Sequence, residues 1–129
     1  MINVPPNAYV GSEDNFQVSA INIVRRIVRS AGFITECAMH VPNGGARSKV
    51  VGAKMKAAGV VRGYPDIMVF APGRDPDRCG LALELKIWPN KPTLDQLFVH
   101  EILRDAGWHV LTCWSLDSVI SATNEHFAK

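Results

Sequence analysis

The sequence has few cysteines, little net charge and no long apolar run, and each shortage narrows the class of protein. The three cysteines, Cys37, Cys79 and Cys113, form no CxxC pair, and so sparse and odd a count is typical of reduced thiols. No apolar run approaches the roughly 18 residues of a membrane span. Residues 1–16 lack the basic start and apolar stretch of a signal peptide. We therefore expect a cytoplasmic protein.

Composition indicates a globular chain but leaves its partner open. Hydrophobic residues make up 47% of the 129 residues and charged residues 20%, which is typical of a folded domain and excludes a disordered chain. The formal net charge is +2, which permits a nucleic-acid partner without indicating one. We expect one domain over residues 1–129, with residues 1–11 as an N-terminal arm.

Hydrophobic periodicity predicts an α/β protein. Ser12 is a candidate helix N-cap, and apolar residues recur at helical spacing from Phe16 until Gly32. Further helices are predicted over residues 46–59, 93–106 and 115–129, with Thr93 and Ser115 as the N-caps of the last two. Strands are predicted over residues 33–41, 66–71, 81–87 and 108–114. This order predicts a small central sheet with helices on its faces.

The segment "GLALELKIWP", residues 80–89, raises the question of function. Its alternation puts leucines on one face of a strand and Glu84 with Lys86 on the other. Alone, such a pair is most often solvated, and Asp66 after Pro65 is typical of a turn. However, Asp66 begins the preceding strand, and a hairpin-length turn joins the two strands. If they pair, all three side chains converge at one end of the sheet.

This constellation has a specific chemistry. Two carboxylates and a backbone carbonyl are the hard oxygen ligands that Mg²⁺ or Mn²⁺ prefers. Such an ion lowers the pKa of a bound water and neutralises phosphate charge. A nearby lysine orients the nucleophile or stabilises developing negative charge. The pattern therefore predicts metal-assisted hydrolysis of a phosphodiester.

The same residues carry a resemblance to a known family. Pro65-Asp66 followed by Glu84-Leu85-Lys86 matches the PD-(D/E)xK nuclease motif. The segments "SEDNFQ", "HVPNGGARSKVVGAKMKAAGVVRGYPDIMV", "GLALELK" and "TLDQ" resemble, in order, the VRR-NUC family, the virus-type replication-repair nucleases. The resemblance runs from about residue 12 to residue 120. It implies a restriction-endonuclease-like core with a small mixed sheet, in a stand-alone member from a bacterial or phage-infected cell.

The resemblance implies roles for matching positions. Asp66 and Glu84 would be metal ligands together with the carbonyl of Leu85, and Lys86 would be the catalytic lysine. Glu13 matches the acidic residue of the family's first helix, although a carboxylate that offsets the helix dipole is an equal alternative. Because Glu13 shares a helix face with Ala20 and Val24, we expect it on the buried side of the helix. Gln17 matches a family glutamine.

Two further positions have alternative explanations. Gln96 matches the glutamine of the last family motif, but Thr93 to Gln96 also forms a capping-box sequence. Asn43 matches a family position, and the resemblance implies that it contacts DNA, although it is equally an ordinary turn residue. The chain departs from many relatives at Ile87, at Gly44 and in the "WPNKP" loop, which leaves substrate preference open.

A basic cluster precedes Asp66. It consists of Arg47, Lys49, Lys54, Lys56 and Arg62. Beside a nuclease site it predicts contact with DNA phosphates, although a solvated helix face is the plain alternative. The sequence contains no zinc finger, recognition-helix signature or RNA-recognition motif, so we expect the protein to recognise the shape of DNA and not its base sequence.

Stand-alone relatives form homodimers that cut four-way junctions. The resulting hypothesis is a Mg²⁺- or Mn²⁺-dependent homodimeric endonuclease for branched DNA, serving DNA repair. The alternatives are a flap or sequence-specific endonuclease, a non-catalytic DNA-binding protein of this fold, and an unrelated α/β domain with a chance motif.

Overall fold

The computed structural model describes residues 4–42 and 49–128. Within them, helices and strands follow the predicted order. The elements are α1 (Glu13–Ser30), β1 (Ala38–His40), α2 (Lys49–Ala57), β2 (Ile67–Val69), β3 (Gly80–Leu85), α3 (Leu94–Asp105), β4 (Trp108–Cys113) and α4 (Leu116–Phe127). No helix in these two ranges is long and apolar enough to cross a membrane.

The four strands form one mixed sheet in the order β1-β2-β3-β4. The first three strands are antiparallel neighbours, whereas β3 and β4 run parallel because α3 crosses from the end of one to the start of the other. Ile67 lies opposite Leu83. The chain entering β2 at Asp66 therefore meets the end of β3, as the hairpin-length turn predicted.

Helices cover both faces of the sheet. Helices α1 and α4 pack on the face that carries Leu81, Leu83 and Leu85. Val99 and Leu103 of α3 pack on the opposite face, with Ala82 beneath them. Every residue of β3 is buried. The face that carries Glu84 is therefore covered by α3 and does not meet bulk water.

Local sequence signals set the helix boundaries. The side chains of Ser12, Thr93 and Ser115 each accept a hydrogen bond from the backbone N–H three residues further on, which satisfies one of the free donors at a helix start. Three predicted N-caps are thus confirmed. Tyr9, in the predicted arm, stacks on Phe16 of α1 with ring centroids 4.6 Å apart.

One prediction about local structure needs correction, and two predicted DNA contacts fall outside the described residues. Within residues 33–41 only Ala38–His40 are a strand, and Thr35–Cys37 form a 3₁₀ turn. The reason is that β2 offers only three residues for pairing, while Phe33 and Cys37 are apolar because they pack against the core. Asn43 and Arg47, predicted to contact DNA, lie outside the described residues.

Candidate active site

Asp66, Glu84 and Lys86 meet at one end of the sheet. The Leu85 N–H donates a hydrogen bond of 2.7 Å to Asp66 Oδ2, which ties the entrance of β2 to the end of β3. All four residues line a cavity of about 420 Å³. Glu84 is only 1% exposed, so the interpretation of Glu84 and Lys86 as a solvated pair is wrong.

Two side chains of α3 hold the Glu84 carboxyl. Gln96 Nε2 donates to Glu84 Oε2 over 3.3 Å, and His100 Nε2 lies 3.0 Å from Glu84 Oε1. When Glu84 is ionised it only accepts hydrogen bonds, and His100 Nε2 then donates the proton of this contact. Both Glu84 oxygens are therefore fixed from the helix that covers this face of the sheet.

The side-chain amide of Gln96 both caps α3 and donates a hydrogen bond to Glu84. Its Oε1 accepts from the Thr93 N–H over 2.8 Å, and Thr93 Oγ1 accepts from the Gln96 N–H, which is a complete capping box. Because the cap fixes the oxygen end, the nitrogen end is left to donate to Glu84. The two roles considered for Gln96 are thus compatible.

Burial disfavours the charged form of both carboxyls. Burial, followed by the neighbouring Glu84, raises the pKa of Asp66 to about 7. Burial also raises the pKa of Glu84, while the hydrogen bond with Asp66 and the charge of Lys86 act to lower it. The Asp66 and Glu84 side chains lie close enough to hydrogen-bond to each other. The pair therefore retains a proton near neutral pH unless a cation replaces it.

The first helix contributes two more side chains to the cavity. Glu13 lines it but is exposed. Glu13 therefore lies on the side of α1 that its helix face predicted, but it is not buried, because the helix buries its side chains only from Phe16 onward. Gln17 also lines the cavity, and both its amide atoms are buried with no hydrogen-bond partner among the described residues. A buried amide ordinarily has a hydrogen-bond partner, and the described residues do not supply one for Gln17.

Two histidines of the site were missed by the sequence interpretation. His40 ends β1 and lines the cavity, with Nδ1 2.9 Å from the Asp66 carbonyl oxygen. That oxygen only accepts, so Nδ1 carries the proton and Nε2 is left for other partners. His100 lies one helical turn after Gln96. This i, i+4 spacing was the available signal.

The donor set suits a hard divalent cation. Within residues 4–42 and 49–128 no group of three or more His, Cys, Asp or Glu side chains is arranged to hold a metal. An ion here would therefore have two carboxylate ligands and would take its others from a backbone carbonyl such as that of Leu85, and from water. Mg²⁺ commonly binds proteins in this way.

The basic cluster lines a second, larger depression. Lys49, Lys56 and Arg62 contribute to a groove of about 990 Å³, which also contains Phe98 of α3. Lys54 is exposed on the same helix but does not line the groove. The described part of the chain buries none of the α2 residues.

Comparison with known proteins agrees with this geometry. A solved structure of a VRR_NUC domain protein superposes with a TM-score of 0.72 and 25% sequence identity, covering 92% of this chain and 89% of that one. No family model and no curated protein matches the sequence. The predicted resemblance to the VRR-NUC family and the predicted mixed α/β fold are confirmed by this likeness.

Proposed function

We propose that the protein is a Mg²⁺- or Mn²⁺-dependent endonuclease that hydrolyses phosphodiester bonds in branched DNA, four-way junctions above all. The observation that carries the proposal is the convergence of two carboxyls with raised pKa values and a lysine in one cavity. Perturbed carboxyls in a cleft are typical of functional sites. The likeness to a VRR_NUC domain protein supports a nuclease domain.

Asp66 and Glu84 would hold the cation, with the Leu85 carbonyl as a third ligand. A bound ion supplies a water of lowered pKa and neutralises charge on the phosphate. The fit of a cation to these residues is supported by the proton that the carboxyl pair otherwise retains, and by the Gln17 amide in the same wall, which has no hydrogen-bond partner among the described residues. A bound cation would replace the proton, and one of its waters would offer the amide a partner.

The remaining side chains of the cavity would orient and stabilise. Lys86 places an ammonium beside the carboxyls, where it can stabilise negative charge that develops on a phosphate. Gln96 and His100 keep Glu84 in one orientation. Glu13 and Gln17 line the side formed by α1, where they can hydrogen-bond to water that approaches the phosphate.

Binding of the DNA backbone would fall to the basic side chains of residues 47–62. Lys49, Lys54, Lys56 and Arg62 are the described members, and Lys and Arg contacts to phosphate carry affinity without sequence information. Recognition of a branch by its shape follows. We also propose a homodimer, because two sites related by a two-fold axis can nick two strands of a junction symmetrically.

A cleavage assay with a panel of DNA substrates tests the function. Purified protein is mixed with labelled four-way junction, flap, linear duplex and single strand, in Mg²⁺, Mn²⁺ or EDTA, beside Asp66→Ala. We expect the junction to be cut in metal and left intact in EDTA and by the variant. Cutting of flap or linear duplex instead would keep the site and reassign the substrate. Junction binding without cutting in either metal would favour a non-catalytic DNA-binding protein.

The dimer has a separate test. Light scattering at micromolar concentration should give twice the 14.1 kDa mass of the chain. A monomeric mass, with cleavage intact, would remove the dimer from the proposal and leave the nuclease standing.

A further inference from the structure

The groove between α2 and α3 has a positively charged lining. Among the described residues that line it, Lys49, Lys56 and Arg62 are basic, and Asp95 is acidic. The same lining holds the exposed valines Val60 and Val61. A concave surface with excess positive charge concentrates a polyanion.

Phe98 is the exposed aromatic side chain of this groove. It is 67% exposed, although a phenylalanine ring gains from leaving water. The aromatic pairs found among residues 4–42 and 49–128 do not include it. Exposed aromatic rings beside cations are the arrangement on which single-stranded nucleic acids stack their bases.

The groove adjoins the candidate catalytic cavity. Asp95 lines the groove and its neighbour Gln96 lines the cavity. Gly63 packs so closely on the start of α3 that an added Cβ would lie 2.8 Å from the Asp95 carbonyl oxygen. Gly63 stands between Arg62 of the groove and Asp66 of the cavity. A polymer lying in the groove would therefore pass the first turn of α3, where Gln96 lines the cavity.

We propose that the groove binds an unpaired stretch of the DNA substrate, with a base stacked on Phe98 and phosphates on Lys49, Lys56 and Arg62. The proposal rests on the proposed function in that the polymer is DNA cut in the adjoining cavity. It adds a requirement for unpaired bases beside the cut bond, which a flap carries in its single strand and which a four-way junction supplies only where base pairs at its crossover open. A second copy of this chain is the rival occupant, but the excess positive charge of the lining favours a polyanion.

A fluorescence titration tests the stacking. Single-stranded DNA carrying 2-aminopurine is titrated with wild-type protein in EDTA, so that no strand is cut. Binding should change the 2-aminopurine emission. Phe98→Ala should abolish this change and weaken binding roughly 5- to 150-fold, which is the usual effect of losing one stacked base, whereas Phe98→Trp should retain both.

Two control variants separate stacking from other effects. Phe70→Ala removes a phenylalanine that is 55% exposed at the opposite end of the sheet, and it should leave binding unchanged. Lys56→Gln should reduce the slope of log affinity against log salt by about 0.7, the value for one phosphate contact on a single strand. Phe98→Ala should leave that slope unchanged. Circular dichroism establishes that each variant is folded.

The outcomes distinguish this proposal from the proposed function. If wild type cuts the junction in metal while Phe98→Ala binds and perturbs 2-aminopurine like wild type, the groove proposal is overturned and the nuclease stands. If Phe98→Ala halves the mass in solution and leaves single-strand binding intact, the groove is a contact between copies, which also overturns it. If Phe98→Ala loses the emission change but wild type cuts no DNA, stacking is supported and the nuclease function fails.

Discussion

The two ends of the central sheet are built in opposite ways. At the end where β3 starts, packing is tight. A Cβ on Gly80 would lie 2.5 Å from the Trp108 ring, and the Phe70 and Trp108 rings form a T-shaped pair with centroids 5.1 Å apart. At the end where β3 stops, Asp66, Glu84 and Lys86 surround an open cavity. One end is packed for stability, whereas the other holds two carboxyls whose charged forms burial disfavours.

Burial perturbs titratable groups at both ends, so a shifted pKa alone does not distinguish them. Burial lowers the pKa values of His109 and His126, and these rings lie 6.4 Å apart at the tightly packed end. Burial raises the pKa values of Asp66 and Glu84. What sets the carboxyls apart is that two groups of like charge converge on a cavity with a lysine.

The largest expected effect is that of Asp66→Asn. The variant keeps an oxygen to accept the Leu85 N–H but loses the charge, so cleavage should fall by about a thousandfold or more because the cation loses a ligand. In EDTA at pH 8 the free energy of unfolding should rise by about 1–3 kcal/mol, because the unfavourable charge is gone. Cleavage assays and urea denaturation measure the two effects.

The sign of the pH dependence follows from the raised pKa. The folded state holds the Asp66 proton more tightly than the unfolded chain does. The contribution of Asp66 to stability therefore falls as the pH rises from the ordinary pKa of this group, 3.8, to its raised pKa of about 7. The stability advantage of Asp66→Asn should therefore be largest at pH 8 and shrink toward pH 4. An advantage that is independent of pH would contradict the raised pKa.

Next in size is the effect of His100→Ala, which removes a hydrogen-bond donor to Glu84. Removing a hydrogen-bond partner of a metal ligand typically lowers metal affinity 10- to 100-fold. Calorimetric titration with Mn²⁺ should therefore show a loss of affinity of about that size. His100→Gln, which can still donate, should recover part of it. Equal losses in both variants would mean that His100 fills space without orienting Glu84.

Gly80→Ala probes the tightly packed end. The added methyl must displace the Trp108 ring, which should lower the free energy of unfolding by about 1–3 kcal/mol. Cleavage per folded molecule should stay at the wild-type level, since this site is remote from the cavity. A drop in cleavage without a drop in stability would contradict the claim that this end of the sheet contributes to stability and not to cleavage.

The smallest expected effect is that of Thr93→Ala. Loss of the N-cap should cost about 1 kcal/mol of stability. Since the same capping box orients the Gln96 amide toward Glu84, cleavage should also fall a few-fold. Thr93→Ser keeps the cap and serves as the control. Lost stability with unchanged cleavage would show that the cap does not orient the amide.

The sequence predicted those parts of the site that depend on local pattern. Strand alternation and a hairpin-length turn were sufficient to bring Asp66 beside Glu84, because the register follows from the turn. Capping signals predicted the starts of three helices. Alternation did not reveal that α3 would cover the Glu84 face, since that depends on a crossover connection.

The parts that the sequence did not predict depend on tertiary contacts. His100 reads as an ordinary helix residue until α3 lies over β3 and brings its Nε2 to Glu84. His40 gains its place only because β1 pairs with β2 beside Asp66. Glu13 lies on the predicted side of α1 but is exposed, because a helical face predicts burial only where another element covers that part of the helix.

The most direct test of the account is calorimetric titration of the protein with Mn²⁺ near pH 6.5, in two buffers of different ionisation enthalpy. If Asp66 and Glu84 bind the cation, the ion displaces the proton that they hold, so wild type should bind Mn²⁺ and release about one proton. Asp66→Asn should show neither. Absence of binding to wild type, or equal binding by the variant, would contradict the assignment of this carboxyl pair as the metal site.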